Sequence, residues 1–250
     1  VVIISLKEDL LQNTSPKSRI FSMILSCLIF FYINPISFPI LDIPLLRSVI
    51  NLYSISIIFF TFSFLVVMNG MNLIDGVNGL VGFTALFLLL AISIIAFNVG
   101  DIYIMNIAIL FAAPLIIFLF FNFPFGKVFM GDLGAYFYGF VIAILITYLF
   151  GKHNFLLTWG AVLLLFYPCM ELLFSFIRKI KNHKSPFDPD NKHLHSLIYK
   201  RFQVLNNPSS SNSLTTLSLI YFWITPFLVS LIIPLDLLST LGFILLLCIS

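Results

Sequence analysis

The sequence predicts an all-α protein, a polytopic bundle of about eight transmembrane helices. Of its 250 residues, 60% are hydrophobic and 9% are charged, and the mean hydropathy is +1.11. A soluble domain carries about 25% charged residues, so this chain has too few polar side chains to cover a surface that faces water. The apolar residues come in long runs instead of alternating, which favours helices over a barrel. A soluble enzyme, a disordered tail and a disulfide scaffold are excluded.

Eight apolar runs approach the length of about 20 residues that a membrane-spanning helix needs. They lie at about 20–34, 46–68, 80–98, 102–121, 135–150, 156–177, 214–233 and 235–250, with a turn at Pro234 between the last two. No separate soluble domain interrupts them, because the longest polar stretch is only 178–213. We therefore expect a single integral-membrane domain over residues 1–250.

The basic residues fall mostly on one side of this bundle. If the chain crosses the membrane at each run, 11 of the 13 Lys and Arg residues lie in segments 1–19, 69–79, 122–134 and 178–213. Only Arg47 and Lys152 lie on the other side. Short loops rich in Lys and Arg stay cytoplasmic, so the first set of segments is predicted to face the cytoplasm. The net charge is only +3 and no basic patch carries interleaved aromatic residues, so nucleic acid is not expected as a partner.

Four polar clusters all lie on the predicted cytoplasmic face. The first joins Glu8 and Asp9 to the sequence SPKSR, which begins at Ser15. Adjacent carboxylates beside basic residues suit a hard cation or the activation of a phosphate oxygen. The same stretch also fits a solvated helix start, with Ser15 as the N-cap and Pro16 in the first turn.

The second cluster has the sequence NGMNLIDGVNGL and begins at Asn69. Asn69, Asn72 and Asp75 recur every three residues, which would line them up along one side of a helix end. Gly76 and Gly79 allow a left-handed turn and a close approach of the backbone to a ligand. Polar residues between two apolar spans must face protein, water or a ligand, although a plain loop would also account for them.

The third cluster, FPFGKVFMGDLG from Phe123, places Asp132 between glycines at the start of a span. A carboxylate at this position can cap the helix. It can equally bind Mg²⁺, which takes one or two carboxylates together with phosphate oxygens and waters. Both interpretations stay open at this point.

The fourth cluster, KSPFDPDNKHLH from Lys184, precedes a short amphipathic stretch. Asp190 is expected to cap a helix that runs to about Phe202 and lies in the membrane surface. On that helix His193 and His195 would point about 200° apart, since each residue turns by about 100°. They could then not both bind one metal ion, and contact with a phosphate or a sugar suits them better.

Glu171 is a single carboxylate inside the sixth apolar run. A charged group in a membrane helix is costly and is often functional. The alternative is that Glu171 lies near the cytoplasmic end of the helix and pairs with Arg178 or Lys179.

Three of these motifs resemble, in order, those of a known family. They are NLIDGVNGL from Asn72, FMGDLG from Phe129 and SPFDPDNKHLH from Ser185. They resemble the polyprenyl-phosphate N-acetylhexosamine-1-phosphate transferases, a bacterial membrane family that includes the phospho-N-acetylmuramoyl-pentapeptide transferase. Glu8, Asp9 and the SPKSR stretch resemble the first acidic pair of this family and the basic stretch that follows it. The resemblance covers nearly the whole chain.

The resemblance implies a reaction at the cytoplasmic face of the bacterial inner membrane. A polyprenyl phosphate, held among the membrane lipids, attacks the sugar-linked phosphate of a UDP-N-acetylhexosamine and UMP leaves. The product is a lipid-linked sugar that starts a cell-envelope glycan. The implied cofactor is Mg²⁺, with Mn²⁺ as the alternative ion, because a divalent cation neutralises the pyrophosphate. The oligomeric state, including a homodimer, stays open.

The resemblance also implies roles for individual residues. The catalytic positions are Glu8, Asp9, Asp75, His193 and His195, the metal ligand is Asp132, and the substrate-binding positions are Asn69, Asn72, Asn78 and Asp190. Lys127 joins the substrate-binding set by its location alone.

The chain departs from the family pattern at several positions. Glu8 stands where Asp is commoner, Ser196 stands where a third His is common, and Asn191 and Lys192 replace a pair that usually contains Arg. Family members carry about two or three further spans before the acidic pair, so we expect this chain to lack an N-terminal part. The N-acetylhexosamine and the glycan pathway are left open.

Two other functions fit a polytopic protein with polar loops. A transporter or flippase of lipid-linked sugars would place carboxylates near the bilayer midplane and show repeat symmetry, whereas these acids cluster at one face. An inactive scaffold of a glycan assembly complex is the second alternative.

Overall fold

The computed structural model describes residues 15–41, 52–183, 185, 192–204 and 207–231. Within these ranges the chain forms ten α-helices and no strand. We number them α1 (Pro16–Ile33), α2 (Tyr53–Leu73), α3 (Leu80–Asn98), α4 (Ile102–Asn122), α5 (Gly131–Lys152), α6 (Thr158–Leu164), α7 (Phe166–Lys181), α8 (Leu194–Gln203), α9 (Pro208–Ser218) and α10 (Ile220–Ser230). The prediction of an all-α bundle is confirmed.

Helices α1 to α5 and the α9–α10 stretch Ser210–Ser230 are each long and apolar enough to cross a membrane. The consecutive helices α6 and α7 pass the same test as one bent pair, which gives six or seven candidate spans in the described residues. They correspond to the first seven predicted runs. The eighth run, at 235–250, and the turn at Pro234 lie outside the described residues.

The sixth predicted run is not one continuous helix. Helices α6 and α7 meet at Leu165 with a bend of 71°. Pro168 explains the break, because it has no N–H to bond to the carbonyl of Leu164 and its ring would clash with that carbonyl. The bend turns α7 and its carboxylate, Glu171, away from the direction that a straight span would follow.

Helix α3 forms the centre of the bundle. In its most apolar 18-residue window 67% of the residues are buried, against 28% for α4. It packs against α4, α5 and α10, and a helix that is apolar on all sides is expected in such a position. Helix α4 instead exposes large apolar side chains such as Leu110 and Phe120. Large apolar surfaces on so many helices would not be stable in water, so the chain is a multi-pass membrane protein.

Two glycines let helix α2 approach its neighbours closely. A Cβ atom added at Gly70 would lie 2.4 Å from the carbonyl oxygen of Pro168 in α7. One added at Gly139 in α5 would lie 2.8 Å from the Cα atom of Met68. Inside a bilayer the hydrophobic effect does not drive helices together. Small residues favour their association because they allow close van der Waals packing. The C-terminal end of α2 is thereby held against both α5 and α7.

Polar contacts join the loops at one end of the bundle. Asp101, the N-cap of α4, accepts hydrogen bonds from Lys152 Nζ at 2.7 Å and from the Ile104 N–H at 3.2 Å, and its carboxylate lies 3.0 Å from Nε2 of His153. At the same end, the Thr158 hydroxyl donates to the carbonyl of Ile40 at 2.5 Å. These contacts bring residues 99–101 and 151–155 together, as the predicted sidedness requires.

The environment of Asp101 favours its ionised form. Burial alone would raise the pKa of this carboxyl group, but hydrogen bonds from Lys152, His153 and the Ile104 N–H outweigh it and lower the pKa from 3.8 to about 2. A depressed native pKa stabilises the fold above the unfolded pKa, and this contribution disappears as the pH falls through the native value.

We therefore predict that Asp101→Asn destabilises the protein at neutral pH by about 1.5–3 kcal/mol, the range for hydrogen bonds to charged groups. Thermal unfolding in detergent at pH 7 measures this change. Between about pH 4 and pH 2 the difference between the native protein and the variant should shrink, because the native carboxylate becomes protonated. A variant as stable as the native protein at pH 7 would contradict this account of the cluster.

Candidate functional site

Asp132 joins three helices at the opposite end of the bundle. Its Oδ2 atom accepts a hydrogen bond from Arg19 Nη1 at 2.8 Å, and its Oδ1 atom accepts one from Asn72 Nδ2 at 2.7 Å. The Tyr136 hydroxyl donates to Oδ1 of Asn72 at 3.2 Å. Helices α1, α2 and α5 thus meet around one carboxylate.

The ends of α1 and α5 place the two charged groups of this junction. Ser15 is the N-cap of α1, its hydroxyl oxygen accepts the Ser18 N–H at 3.2 Å, and Pro16 lies in the first turn, as predicted. Asp132 lies in the first turn of α5, where a carboxylate interacts favourably with the helix dipole. Its interpretation as the N-cap is wrong, since Met130 holds that position. Arg19 and Asp132 form an ion pair whose side chains are each about one quarter exposed, at 25% and 24%.

The turn between α2 and α3, residues 74–79, is held by amide groups from other loops. Gly79 has a left-handed backbone with φ of 85°, and its N–H donates to Oδ1 of Asn122 at 2.5 Å. The Asn78 N–H donates to Oδ1 of Asn212 at 2.5 Å, and the Asn78 side chain donates to the Pro124 carbonyl at 3.3 Å. Asn78 therefore connects this turn to the α4–α5 loop and to α9.

Asn69, Asn72 and Asp75 were predicted to lie along one side of a helix end, but they have different surroundings in the structure. Asn72 reaches Asp132, whereas Asn69 donates to the Leu65 carbonyl at 2.8 Å and contacts the sulfur of Met23 at 3.7 Å. Asn69 therefore packs α2 against α1. Asp75 follows α2 in the turn and is half-buried.

Lys127 lies on the exposed α4–α5 loop at this same end. Its Nζ atom lies 5.4 Å from the ring centroid of Phe125, a cation–π distance. The side chain is exposed, so its cation is accessible from solvent.

His193 and His195 lie side by side, with parallel rings whose centroids are 5.6 Å apart and whose planes differ by 3°. The expected separation of 200° is wrong, because His193 is the N-cap of α8 and has an extended backbone, so the helical angle does not apply to it. The prediction that Asp190 caps this helix is wrong for the same reason. Asp190, Glu8 and Asp9 themselves lie outside the described residues.

His195 contacts the turn that follows α2. A Cβ atom added at Gly76 would lie 2.3 Å from Nε2 of His195, so only glycine leaves room for the imidazole there. The turn is itself joined to Asn72 by a hydrogen bond from the Asp75 N–H to the Asn72 carbonyl at 3.2 Å. The His195 ring and the Asp132 junction are therefore connected through a few residues of one short segment.

Glu171 faces the two histidines and not only its own helix. Its carboxylate oxygens lie 3.7 Å from Nδ1 of His193 and 3.6 Å from Nδ1 of His195. It also accepts the Leu194 N–H at 3.3 Å. Its Oε1 atom accepts a hydrogen bond from the Tyr167 hydroxyl at 3.4 Å. Glu171 therefore connects α7 to the start of α8, a contact that the expected pairing with Arg178 or Lys179 did not include.

Several residues of this region carried no predicted role. Arg19 was visible only as part of the SPKSR stretch, and Tyr136 lies one turn after Asp132. Asn122 and Asn212 are separated from the turn that they hold by 43 and 134 residues. Sequence spacing gives no signal for such pairs.

Part of the chain matches the model of a known protein family. Residues 1–150 match the model of glycosyl transferase family 4. This range includes Arg19, Asn72 and Asp132, whereas His193 and His195 lie beyond it.

Three curated relatives are similar over about half of this chain. A probable undecaprenyl-phosphate N-acetylglucosaminyl 1-phosphate transferase of Bacillus subtilis is 34% identical over 130 residues, 51% of this chain and 36% of the relative. Undecaprenyl-phosphate alpha-N-acetylglucosaminyl 1-phosphate transferases of Thermotoga maritima and Escherichia coli K12 are 29% and 30% identical, over 58% and 53% of this chain. The matched regions cover 43% and 37% of those two relatives.

The chain thus spans less than half of the length of the curated relatives that it matches. Its family model match covers more than half of the chain itself and includes the residues that meet at Asp132. The chain belongs to glycosyl transferase family 4.

Proposed function

We propose that the whole protein transfers an N-acetylhexosamine 1-phosphate from a UDP-sugar to a polyprenyl phosphate and releases UMP. The observation that carries this proposal is the partly exposed Asp132 carboxylate, held by Arg19 and Asn72 at one end of a membrane bundle. The names of the relatives support the same class of lipid and sugar substrates.

Two anions have to meet in this reaction. Transfer of a phosphoryl group depends mainly on positioning and on electrostatic stabilisation of the phosphate oxygens. Arg19 is fixed by its ion pair with Asp132, and the exposed Lys127 lies on the neighbouring loop. These cations at the bundle end would reduce the repulsion between a lipid phosphate and a nucleotide pyrophosphate.

The residues present fit a magnesium ion, with Mn²⁺ as the alternative. Within the described ranges no group of three or more His, Cys, Asp or Glu side chains is placed to hold a metal. Mg²⁺ does not require such a group, because it binds through one or two carboxylates, waters and substrate phosphates. Asp132 accepts hydrogen bonds from Arg19 and Asn72, and carboxylate oxygens are ligands that Mg²⁺ prefers. Asp132 would hold the ion, which would neutralise phosphate charge when bound.

The membrane scaffold suits a substrate with a polyprenyl chain. The site lies at the end of α1, α2 and α5, next to helices that expose apolar side chains along their length. A lipid held beside these helices would present its phosphate at the membrane surface. We place this surface on the cytoplasmic side of the bacterial inner membrane, because the segments that the sequence predicts to be cytoplasmic hold 11 of the 13 basic residues.

We predict that Asp132→Asn lowers kcat by about 100-fold or more, the size of effect seen when one electrostatic group of an active site is removed. The assay is UMP release by membranes with the full-length protein, a UDP-N-acetylhexosamine, polyprenyl phosphate and Mg²⁺. The variant should also lose its dependence on the concentration of Mg²⁺. Unchanged turnover in the variant would remove Asp132 from the site.

Arg19→Gln is the matched control, because it breaks the same ion pair and leaves the carboxylate in place. If Asp132 only stabilises the fold, both variants should lower the melting temperature and the activity equally. The proposal expects both variants to lose activity at equal amounts of folded protein, but only Asp132→Asn to lose its dependence on the concentration of Mg²⁺.

A labelling experiment tests the assignment of the two membrane faces. Phe125 and Phe155 are exposed on loops at opposite ends of the bundle. In a protein without its native cysteines, an impermeant maleimide added to intact spheroplasts should label Phe155→Cys at once. It should label Phe125→Cys only after permeabilisation. The reverse pattern would place the candidate site outside the cytoplasm.

A further inference from the structure

Glu171 is a buried carboxylate within the bent span formed by α6 and α7. Only 5% of its surface is exposed, and a charge at such a position is costly unless polar groups satisfy it. Tyr167 donates its hydroxyl hydrogen to Oε1 at 3.4 Å, and the Leu194 N–H donates to Oε2 at 3.3 Å. The mechanism proposed above gives this residue no role.

The contact with Leu194 anchors helix α8. The first N–H groups of a helix have no partner inside it, and the N-cap residue of α8, His193, makes no side-chain capping bond. Glu171 accepts the N–H of the first helical residue from a different helix. The start of α8 is thereby fixed to the membrane-spanning part of the chain.

The Glu171 carboxylate lies beside the same ring atom, Nδ1, of both imidazoles. Oε2 lies 3.7 Å from Nδ1 of His193, and Oε1 lies 3.6 Å from Nδ1 of His195. Both Nδ1 atoms are buried and have no hydrogen-bond partner of normal length among the described residues. A hydrogen bond between these atoms needs a donor–acceptor distance of up to about 3.2 Å, so a shift of roughly 0.5 Å by the ring or the carboxylate would form it.

This arrangement favours one tautomer of each imidazole. An ionised carboxylate can only accept hydrogen bonds, so each imidazole is best placed with its hydrogen on Nδ1. The other nitrogen, Nε2, then keeps a free lone pair and points away from Glu171. For His195 this atom faces Gly76, in the turn that leads to Asn72.

We propose that Glu171 is a positioning residue that holds His193 and His195 in one orientation and one tautomer, with Nε2 directed at the substrate site. The substrate that the two histidines would contact rests on the proposed function. The orientation of the two rings by Glu171 does not depend on it. Carboxylates that orient catalytic or metal-binding imidazoles typically change activity by about 10–100-fold when they are replaced.

The first experiment measures kinetics of the full-length protein in membranes. Glu171→Gln keeps the size of the side chain but replaces one acceptor oxygen with a donor, so kcat should fall by about 10–100-fold. The KM for the UDP-sugar should change by less than about twofold, because Glu171 is buried behind the two histidines and is proposed to act through them. Glu171→Asp retains the charge and should recover part of the loss.

A double variant separates positioning from general stabilisation. If Glu171 acts through His195, adding Glu171→Gln to His195→Ala should cost much less than it costs in the native protein. If Glu171 only stabilises the fold, the two losses should multiply.

The second experiment needs no activity. Histidine side-chain ¹⁵N resonances of the purified protein report the tautomer of each ring. Glu171→Gln should change the resonances of His193 and His195 and leave those of His153 unchanged. Asp101→Asn is the matched control, because Asp101 lies 3.0 Å from His153 at the other end of the bundle. It should change only the His153 resonances.

The outcomes separate the two proposals. If the native protein releases UMP and Glu171→Gln changes neither kcat nor the two sets of resonances, the positioning role is wrong and the proposed function stands. If no UDP-N-acetylhexosamine is consumed but the resonances of His193 and His195 depend on Glu171, the proposed function fails and the positioning role stands.

Discussion

The candidate site depends on one ion pair at the end of the bundle, between Arg19 and Asp132. A carboxylate beside membrane helices has to be neutralised or solvated, and Asp132 meets this requirement through Arg19 and Asn72. Because the three residues come from α5, α1 and α2, satisfying one charge brings three separate segments to one point. The pair is only partly exposed, so the charge remains close enough to solvent to meet a substrate.

Helix α2 transmits this constraint to the rest of the site. Gly70 in α2 and Gly139 in α5 let α2 lie directly against α7 and α5, and the turn after α2 contacts His195. Glu171 then ties the histidines back to α7, whose direction is set by the break before Pro168. The polar end of the protein is thus a set of loops whose positions follow from contacts between buried helices.

Much of the architecture could be predicted from the sequence, because it follows from local patterns. The apolar runs predict the helices. The distribution of Lys and Arg predicts which loops share one membrane face, and it places Asn72 and Asp132 on the same face. The apolar run 156–177 predicts one continuous span, and within it only Pro168 indicates the bend of 71° between α6 and α7. The pairing of Glu171 with His193 and His195 could not be predicted, since it joins positions that are more than twenty residues apart and depends on the extended backbone at His193. The hydrogen bonds of Asn122 and Asn212 to the turn 74–79 could not be predicted either, because they also join distant positions.

Cysteine cross-linking tests most directly whether these distant segments meet at one face. In a protein without its native cysteines, Gly76→Cys combined with His195→Cys should form a cross-link with a short bifunctional thiol reagent in membranes, because the native His195 imidazole reaches the place of a side chain at position 76. Phe155→Cys combined with His195→Cys is the control and should form none, since these residues lie at opposite ends of the bundle. Cross-linking of the control pair, with none between positions 76 and 195, would contradict the proposed convergence of the site.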